Sequence, residues 1–459
     1  MKMGATGALA LAASSANAGV LEAKDIKFDE EYDVIVIGTG FAGSMATLQA
    51  LKRGKKVLMI EKMGRSGGNS VINAGNMAVP NNEFQKAAGI KDSKEAFIAD
   101  CLKDGQNLNH VDLLEVIYDR ANDAFEYLKT LGVEFTGKVI SASGHSIKRA
   151  VQSKNTSGAG YVLPMHDAID KNPNAVTKRR TKFDDFIIDE NGRVVGIKCR
   201  EDYRFDHQLA NDDKENKTGT PKCFKAKDGV ILAAGGFSSD KWFRMQQVPY
   251  LKDNIETVSQ PGATSGALVA AMKLGANPIQ LSWIQLNPYT NPTERGFGTS
   301  ALFTNHCAND YGLSVNPKTG KRFMNEHAGR KVKSDAIFAC MAQSDKNDNY
   351  LVNICDQAAV DANNIAYTKK GVEEGSIKKF NTLEELAKAY NIPLEPFLET
   401  IKNFNEYVKN EKDPEFGKPL TKADVNGIGI TKAPFYASET TPKILYCMGG
   451  VEINTKRKS

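Results

Sequence analysis

Seven cysteines in 459 residues are few, and none of them stands in a CxxC pair. Cys101, Cys199, Cys223, Cys307, Cys340, Cys355 and Cys447 are scattered and odd in number. That spacing excludes a zinc ribbon, a ferredoxin-like cluster and a CxxCH haem attachment, and it argues against a dense disulfide framework. The chain therefore carries no covalent haem of its own, and no metal site is expected. Excess charge is also lacking. A net charge of +5 is small for this length and argues against a nucleic-acid binder. The positive Lys456-Arg457-Lys458 reads as a solvated end. Beyond the N-terminal segment no apolar run reaches about 18 residues, so no stable membrane span is expected. Internal repeats are absent as well.

The rest of the composition is that of a globular protein, with 41% hydrophobic and 25% charged residues. The length exceeds one ordinary core, so two domains, or one domain with an insertion, are expected.

The chemistry begins at Tyr32. Val34-Ile35-Val36-Ile37 runs into Gly38-Thr39-Gly40-Phe41-Ala42-Gly43, a helix-like segment follows from Ser44 to Arg53, and Val57-Leu58-Met59-Ile60 ends in Glu61. This is a βαβ unit that holds a dinucleotide. Gly38 permits the tight turn, Gly40 lets backbone approach a pyrophosphate, and Gly43 lets helix pack on strand. The pyrophosphate sits at the helix N-terminus, and the Glu61 carboxylate accepts from ribose hydroxyls. A lone G-x-G-x-x-G is weak; here strand, helix and acid all agree.

Further along, Ser93 to Leu131 reads as helical, with Gly132 as its stop. Gly158-Ala159-Gly160 is a loop before a short helix near His166–Ile169. Thr181 to Cys199 carries a hairpin signal around Asp189-Glu190-Asn191-Gly192-Arg193. Glu201 to Lys225 is polar and charged and reads as a surface excursion rather than a site. Gly229 to Ala234 is a second buried strand, entering the pair Gly235-Gly236 against the cofactor. Another helix opens after Pro261-Gly262-Ala263-Thr264-Ser265-Gly266 and closes at Gly275. From Gln280 the chain turns aromatic, Pro-rich and Asn-rich. Helices are then expected at Asp335–Met341, Leu383–Tyr390 and Leu394–Val408, with polar linkers at Ser344–Asp348 and Lys409–Gly417.

Gly4 to Ala13 is small and apolar, and Ala16-Asn17-Ala18 resembles a cleavage site, so residues 1–29 read as a secretory signal-like segment, of twin-arginine type without its arginines. Export to the periplasm follows; the alternative is an N-terminal extension of a cytoplasmic protein.

Across these motifs the chain resembles the flavoprotein of the fumarate reductase/succinate dehydrogenase superfamily, in the style of flavocytochrome c fumarate reductases and respiratory enoate reductases. The residues that carry this are Gly38 to Gly43, Glu61-Lys62, Gly67-Gly68-Asn69-Ser70, Ala74-Gly75, Ala233-Ala234-Gly235-Gly236, Thr319 to Glu326 and Met448-Gly449-Gly450-Val451. The resemblance implies an α/β fold: a Rossmann-like FAD-binding domain over 30–282, completed by 448–459, interrupted by an α+β capping domain over 283–447, with the active site between cap and flavin. FAD contacts map to Gly38, Gly40, Ala42, Gly43, Glu61, Lys62, Gly67, Gly68, Asn69, Ser70, Ala74, Gly75, Ala234 and Gly235. Ser265 stands where the family often has an acid. Arg330 maps to the arginine that protonates the alkene; its alternative partner is Glu326, one helical turn before it.

The dicarboxylate clamp looks dismantled. Asn287-Pro288 stands for the family's His-Pro, Thr304-Asn305 for its Thr-Glu, and Ala308 for a relay arginine. Leu445-Tyr446-Cys447 precedes Met448-Gly449-Gly450. Asn287, Thr304, Asn305, His327 and Tyr446 are thus candidates for a different small unsaturated carboxylate, bulkier or with one carboxylate. His306 and His327 are either proton relays or ordinary polar residues. The chain stops at Ser459, where the family continues with a last FAD-binding segment, and a C-terminal truncation is expected. The resemblance implies an FAD-dependent reductase of an enoate C=C bond in anaerobic respiration, fed by a cytochrome c or quinol-linked donor on another chain. The alternatives are an FAD dehydrogenase of the 3-ketosteroid type and an inactive flavin-binding remnant.

Overall fold

The computed structural model describes residues 19–141, 144–342, 350–363, 365–420 and 428–455. Most of the signal-like segment, the linker at 344–348 and the last four residues lie outside these ranges. The chain divides into two compact units. One comprises the described parts of Met1–Phe243, Gln260–Leu281 and Gly449–Ser459, and the other Arg244–Ser259 and Ser282–Met448.

The first unit is built on a seven-stranded sheet. Its strands are β1 (Leu21–Glu22), β2 (Glu30–Ile37), β3 (Val57–Ile60), β6 (Ala175–Lys178), β7 (Lys182–Ile188), β8 (Val194–Glu201) and β9 (Thr220–Leu232), in the order β1-β7-β8-β9-β2-β3-β6. A two-stranded ribbon of β4 (Asn76–Ala78) and β5 (Ala150–Gln152) lies apart from it. The β9-β2-β3-β6 part is parallel, and β7-β8-β9 is an antiparallel meander. Continuous apolar runs are what a sheet covered on both faces requires. Val36, Val57 and Met59 face the helices Phe41–Leu51 and Ala159–Asp170 through Leu48, Leu51, Val162, Met165 and Ile169. Ile35, Ile37, Leu58 and Ile60 face the other way, onto Phe183, Phe186, Ile197 and Ala270–Ala271 of helix Gly266–Lys273. The expected α/β class with a Rossmann-like core is therefore what the chain forms.

Two readings need correction. Ser93 to Leu131 is two helices, Lys94–Asp104 and Val111–Thr130. Gln106 and Asn107 sit at φ 52° and 61°, and left-handed residues cannot continue a right-handed helix. Glu201 to Lys225 is no mere surface excursion. Tyr203 is fully buried, Asp212 is 5% exposed, and Thr220 already begins β9. Its Asp212 is satisfied from within the segment, accepting from the Tyr203 hydroxyl, from Asp206 N–H at 2.9 Å and from the Asn216 amide at 2.7 Å. Polarity along the sequence did not mean exposure.

After β10 (Pro278–Ile279) the chain enters the second unit. There β11 (Ile284–Asn287) pairs with β16 (Lys443–Cys447), and β12 (Leu313–Val315), β13 (Leu351–Asp356), β14 (Lys378–Phe380) and β15 (Phe435–Thr440) form an antiparallel sheet in the order β12-β13-β15-β14. One face carries helix Leu394–Lys409, whose Phe397, Ile401, Phe404 and Val408 recur at helical spacing, and helix Leu383–Ala389. The other carries Phe303, Cys307, Ala308 and Tyr311 with Ala359 and Val360. The linker expected at Lys409–Gly417 also hides a structural acid. Asp413 is 7% exposed and accepts from Arg322 at 3.0 Å. Returning to the first unit, β17 (Gly450–Val451) pairs antiparallel with β10.

Candidate cofactor and active sites

In the first unit β2 delivers the chain into a turn that only glycine fits. Gly38 has φ +105°, and a Cβ there would meet the Ala233 carbonyl oxygen at 2.4 Å. A Cβ on Gly43 would lie 2.0 Å from Gly38 O, so helix and turn are in backbone contact. At Gly40 it would reach within 2.9 Å of Ser70 Oγ. The helix Phe41–Leu51 starts at Gly40 with no side-chain cap, and Phe41 N–H donates to Ser70 Oγ at 3.0 Å. An uncapped N-terminus beside a narrow backbone cradle is where a pyrophosphate is held.

These residues open onto a cavity of about 490 Å³. Gly38, Gly40, Ala42, Glu61, Lys62, Gly67, Gly68, Asn69, Ser70, Ala234 and Gly235 all line it. Gly43, Ala74 and Gly75 do not. Gly43 serves packing. Gly75 is at φ +67° with a Cβ position 2.4 Å from Ser153 Oγ, and its carbonyl accepts from Tyr161 at 2.9 Å, so it shapes the β4–β5 loop. Ala74 is exposed, and its carbonyl accepts from Gln152 at 3.0 Å.

Glu61 stands at the end of β3, 9% exposed. Thr39 donates to its Oε2 at 2.5 Å and Met63 N–H to its Oε1 at 2.9 Å. A carboxylate has about four acceptor positions, so it keeps capacity for a ribose diol. Thr39 also accepts from Gly67 N–H at 2.8 Å, tying the first glycine loop to the second.

Three contributors were missed by sequence reasoning. Asp213, from the charged excursion, lines the cavity, lies 3.4 Å from Lys62 Nζ and 3.8 Å from Lys182 Nζ, and accepts from Gly266 N–H at 3.0 Å. An acid thus reaches the start of helix Gly266–Lys273 from elsewhere in the chain, beside the Ser265 that stands at the family's acid position. Burial pulls the Lys62 ammonium below its usual range against the attraction of Asp213. Burial works to raise the Asp213 carboxyl, but Lys62 and Lys182 outweigh it and hold it low. His166 was passed over too. Its Nε2 is 3.0 Å from Thr39 O and 2.9 Å from Ser44 Oγ. A carbonyl only accepts, so Nε2 carries the proton, and burial keeps the ring neutral. Thr39 itself, 1% exposed, is the third. No local motif marks Asp213 or His166, and Thr39 stands at a variable position of the glycine motif; the partners that give all three their meaning lie far away in the chain.

In the second unit the proposed proton donor Arg330 opens helix Arg330–Ala342 and is exposed. It does not pair with Glu326. That carboxylate is fully buried and takes Arg322 at 2.8 and 3.0 Å and Ser314 N–H at 3.1 Å. Arg330 stands instead over the Tyr289 ring, 6.0 Å from its centre. Asn287 is 2% exposed at the end of β11 and accepts from Tyr289 N–H at 3.1 Å. Thr304 is buried in the π-helical turn Thr304–Asn309, 3.1 Å from Ser438 Oγ, so its hydroxyl faces the sheet. Asn305 lies 3.2 Å from His306. Tyr446 is exposed on β16, opposite Gln285. Asp310, unmarked in the sequence, gathers both histidines: His327 Nε2 at 3.1 Å and His306 Nδ1 at 3.8 Å. Burial works against its charge, but the two imidazoles prevail and hold its carboxyl at about 2. Among the described residues no hydrogen bond joins Arg330, Asn287, Thr304 and Tyr446 to one another.

No described helix is long and apolar enough to cross a membrane. The family described as FAD binding domain matches residues 33–458. The acrylate reductase flavoprotein subunit of Shewanella woodyi is 37% identical over 454 residues, covering 99% of this chain and 86% of that protein. The urocanate reductase of Eggerthella lenta is 32% identical over 432 residues, covering 93% of this chain and 66% of that protein. Among solved structures, the open conformation of a flavocytochrome c3 fumarate reductase superposes with a TM-score of 0.76 at 25% identity, over 97% of this chain and 72% of that one.

Proposed function

The chain belongs to the FAD binding domain family and is an FAD-dependent oxidoreductase, and from that premise we propose that it reduces the C=C bond of a small enoate, an alkene conjugated to a carboxylate. When bound, FAD supplies the hydride for such a reduction. The residues present fit this cofactor: an uncapped helix N-terminus for the pyrophosphate, Glu61 for the ribose, and a cradle at Gly38 and Gly40 that any Cβ would fill.

The observation that carries the reading is Arg330, held apart from Glu326 and left exposed beside Tyr289. A guanidinium that is not consumed by a structural ion pair is available to stabilise the negative charge that develops on an enoate and to deliver a proton. Neutral Asn287 and Tyr446 in place of histidines favour a substrate with one carboxylate over a dicarboxylate. The names of the two reductases reported above, for acrylate and urocanate, support the same class. Electrons reach the flavin from a cytochrome c or quinol-linked donor on another chain, in anaerobic respiration at the periplasmic side, to which the signal-like segment directs the protein.

The test is reoxidation of the viologen-reduced, FAD-loaded protein by a panel of fumarate, acrylate, cinnamate and urocanate. Reoxidation by a monocarboxylate enoate faster than by fumarate is expected. Failure of every member of the panel refutes the assignment.

A further inference from the structure

The Tyr289 phenol lies just after β11, and Lys333 Nζ donates to it at 3.0 Å. Lys333 is 3% exposed, also donates to Glu326 O at 3.1 Å, and lies 4.3 Å from the Tyr289 ring centre. Arg330, three positions earlier on the same helix, covers the same ring. An ammonium only donates, so the phenol oxygen is the acceptor in the Lys333 bond, and its own hydrogen needs another partner. Among the described residues no acceptor takes it. Burial raises the phenol above its ordinary range, with the Arg330 charge working against it, so the group keeps its hydrogen at neutral pH.

The surroundings select the ligand. The two carboxylates nearest this corner already have other partners, Asp310 in His327 and His306, and Glu326 in Arg322 and Lys418. What remains is a hydrogen-bond donor between two cations. A neutral carbonyl would use the donor but not the charge. A carboxylate uses both, through a charge-assisted bond.

We propose that Tyr289 binds the substrate carboxylate through its phenol O–H, with Lys333 fixed behind it and Arg330 beside it, and thereby sets the preference for an acid over its neutral analogues. This rests on the enoate-reductase reading above. It assigns the carboxylate to a residue outside the Asn287, Thr304 and Tyr446 set.

The test compares acrylate with acrylamide as oxidants of the reduced, FAD-loaded enzyme, in the wild type and in Tyr289→Phe. The change removes one oxygen, and unchanged FAD content and melting temperature identify a folded variant. The expected result is a rise of about tenfold in KM for acrylate, the scale of a hydrogen bond to a charged group, with a much smaller change for acrylamide. A general loss of structure would depress both oxidants equally, so the acid-to-amide ratio is the readout. If that ratio is the same in the variant and the wild type, the assignment of Tyr289 is wrong and the reductase reading stands. If the wild type reduces no enoate at all, both fall together.

Discussion

Single residues at the glycine turn and the ion cluster make the sharpest demands. Gly43 has no room for a methyl group, since its Cβ would sit 2.0 Å from a backbone oxygen that cannot swing away. Gly43→Ala is expected to cost about 1–3 kcal/mol by overpacking and to lower the fraction of protein that retains FAD, read by urea denaturation and flavin absorbance. Asp213→Ala would leave Lys62 without its carboxylate in a mostly buried place. Breaking such a pair costs about 3 kcal/mol, and Lys62→Met in the same background should recover much of it, as a double-mutant cycle in urea will show. The two cases also show what a sequence can tell. Gly43 was legible because its motif is local. Asp213 was not, because its meaning depends on Lys62 and Gly266, which reach it only through the folded sheet.

At the scale of elements, the segment from Arg322 to Arg330 separates stability from chemistry. Arg322, Glu326 and Asp413 are a buried ionic knot with side chains at most 1% exposed. Glu326→Ala takes the carboxylate from fully buried Lys418 and leaves Arg322 only its Asp413 side, and a loss of about 3–5 kcal/mol is expected, measured by thermal or urea unfolding. Arg330→Met touches an exposed side chain instead and should shift stability by less than about 0.5 kcal/mol while abolishing turnover. A large stability loss in Arg330→Met would contradict its placement. The signature was readable as a motif, but which of its arginines pairs with Glu326 was not, since Arg322 and Arg330 both stand four residues away. The π-helical turn is another limit of reading: it ties Thr304 to the sheet and carries the chain on to Asp310, which no periodicity announces. Asp310 makes a prediction about acid. Its folded carboxyl is depressed to about 2 from an ordinary value near 4, so its stabilising share is present above about pH 4 and is lost as pH falls toward 2. The stability gap between wild type and Asp310→Asn should therefore shrink across that window, as followed by circular dichroism.

For the whole molecule, the two tryptophans fall one to each unit: Trp242 in the first and Trp283 in the second. Variants that keep one of them report on one unit at a time. FAD at a hundredfold excess over its Kd should stabilise the unit that binds it by about 2.7 kcal/mol, seen as a shift in the Trp242 transition in Trp283→Phe. No shift would mean that the cavity lined by Gly38, Glu61 and Ala234 does not take the cofactor. The parallel core of this unit was legible because buried strands write themselves as uninterrupted apolar runs. The second unit was less so: its sheet is antiparallel and short-stranded, and β13 pairs with partners far from it in the chain on both sides.

The β10–β17 ribbon bears on how the protein is made. Pro278 pairs with Val451, and every residue of the second unit from Ser282 to Met448 lies between them. A ribosome adds residues one after another, so β10 emerges long before its partner exists. Until Gly450 has left the exit tunnel, the first unit lacks this ribbon while the second already has all its segments. The order of synthesis therefore favours completion of the inserted unit first, with the β10–β17 ribbon of the nucleotide-binding unit closing after it.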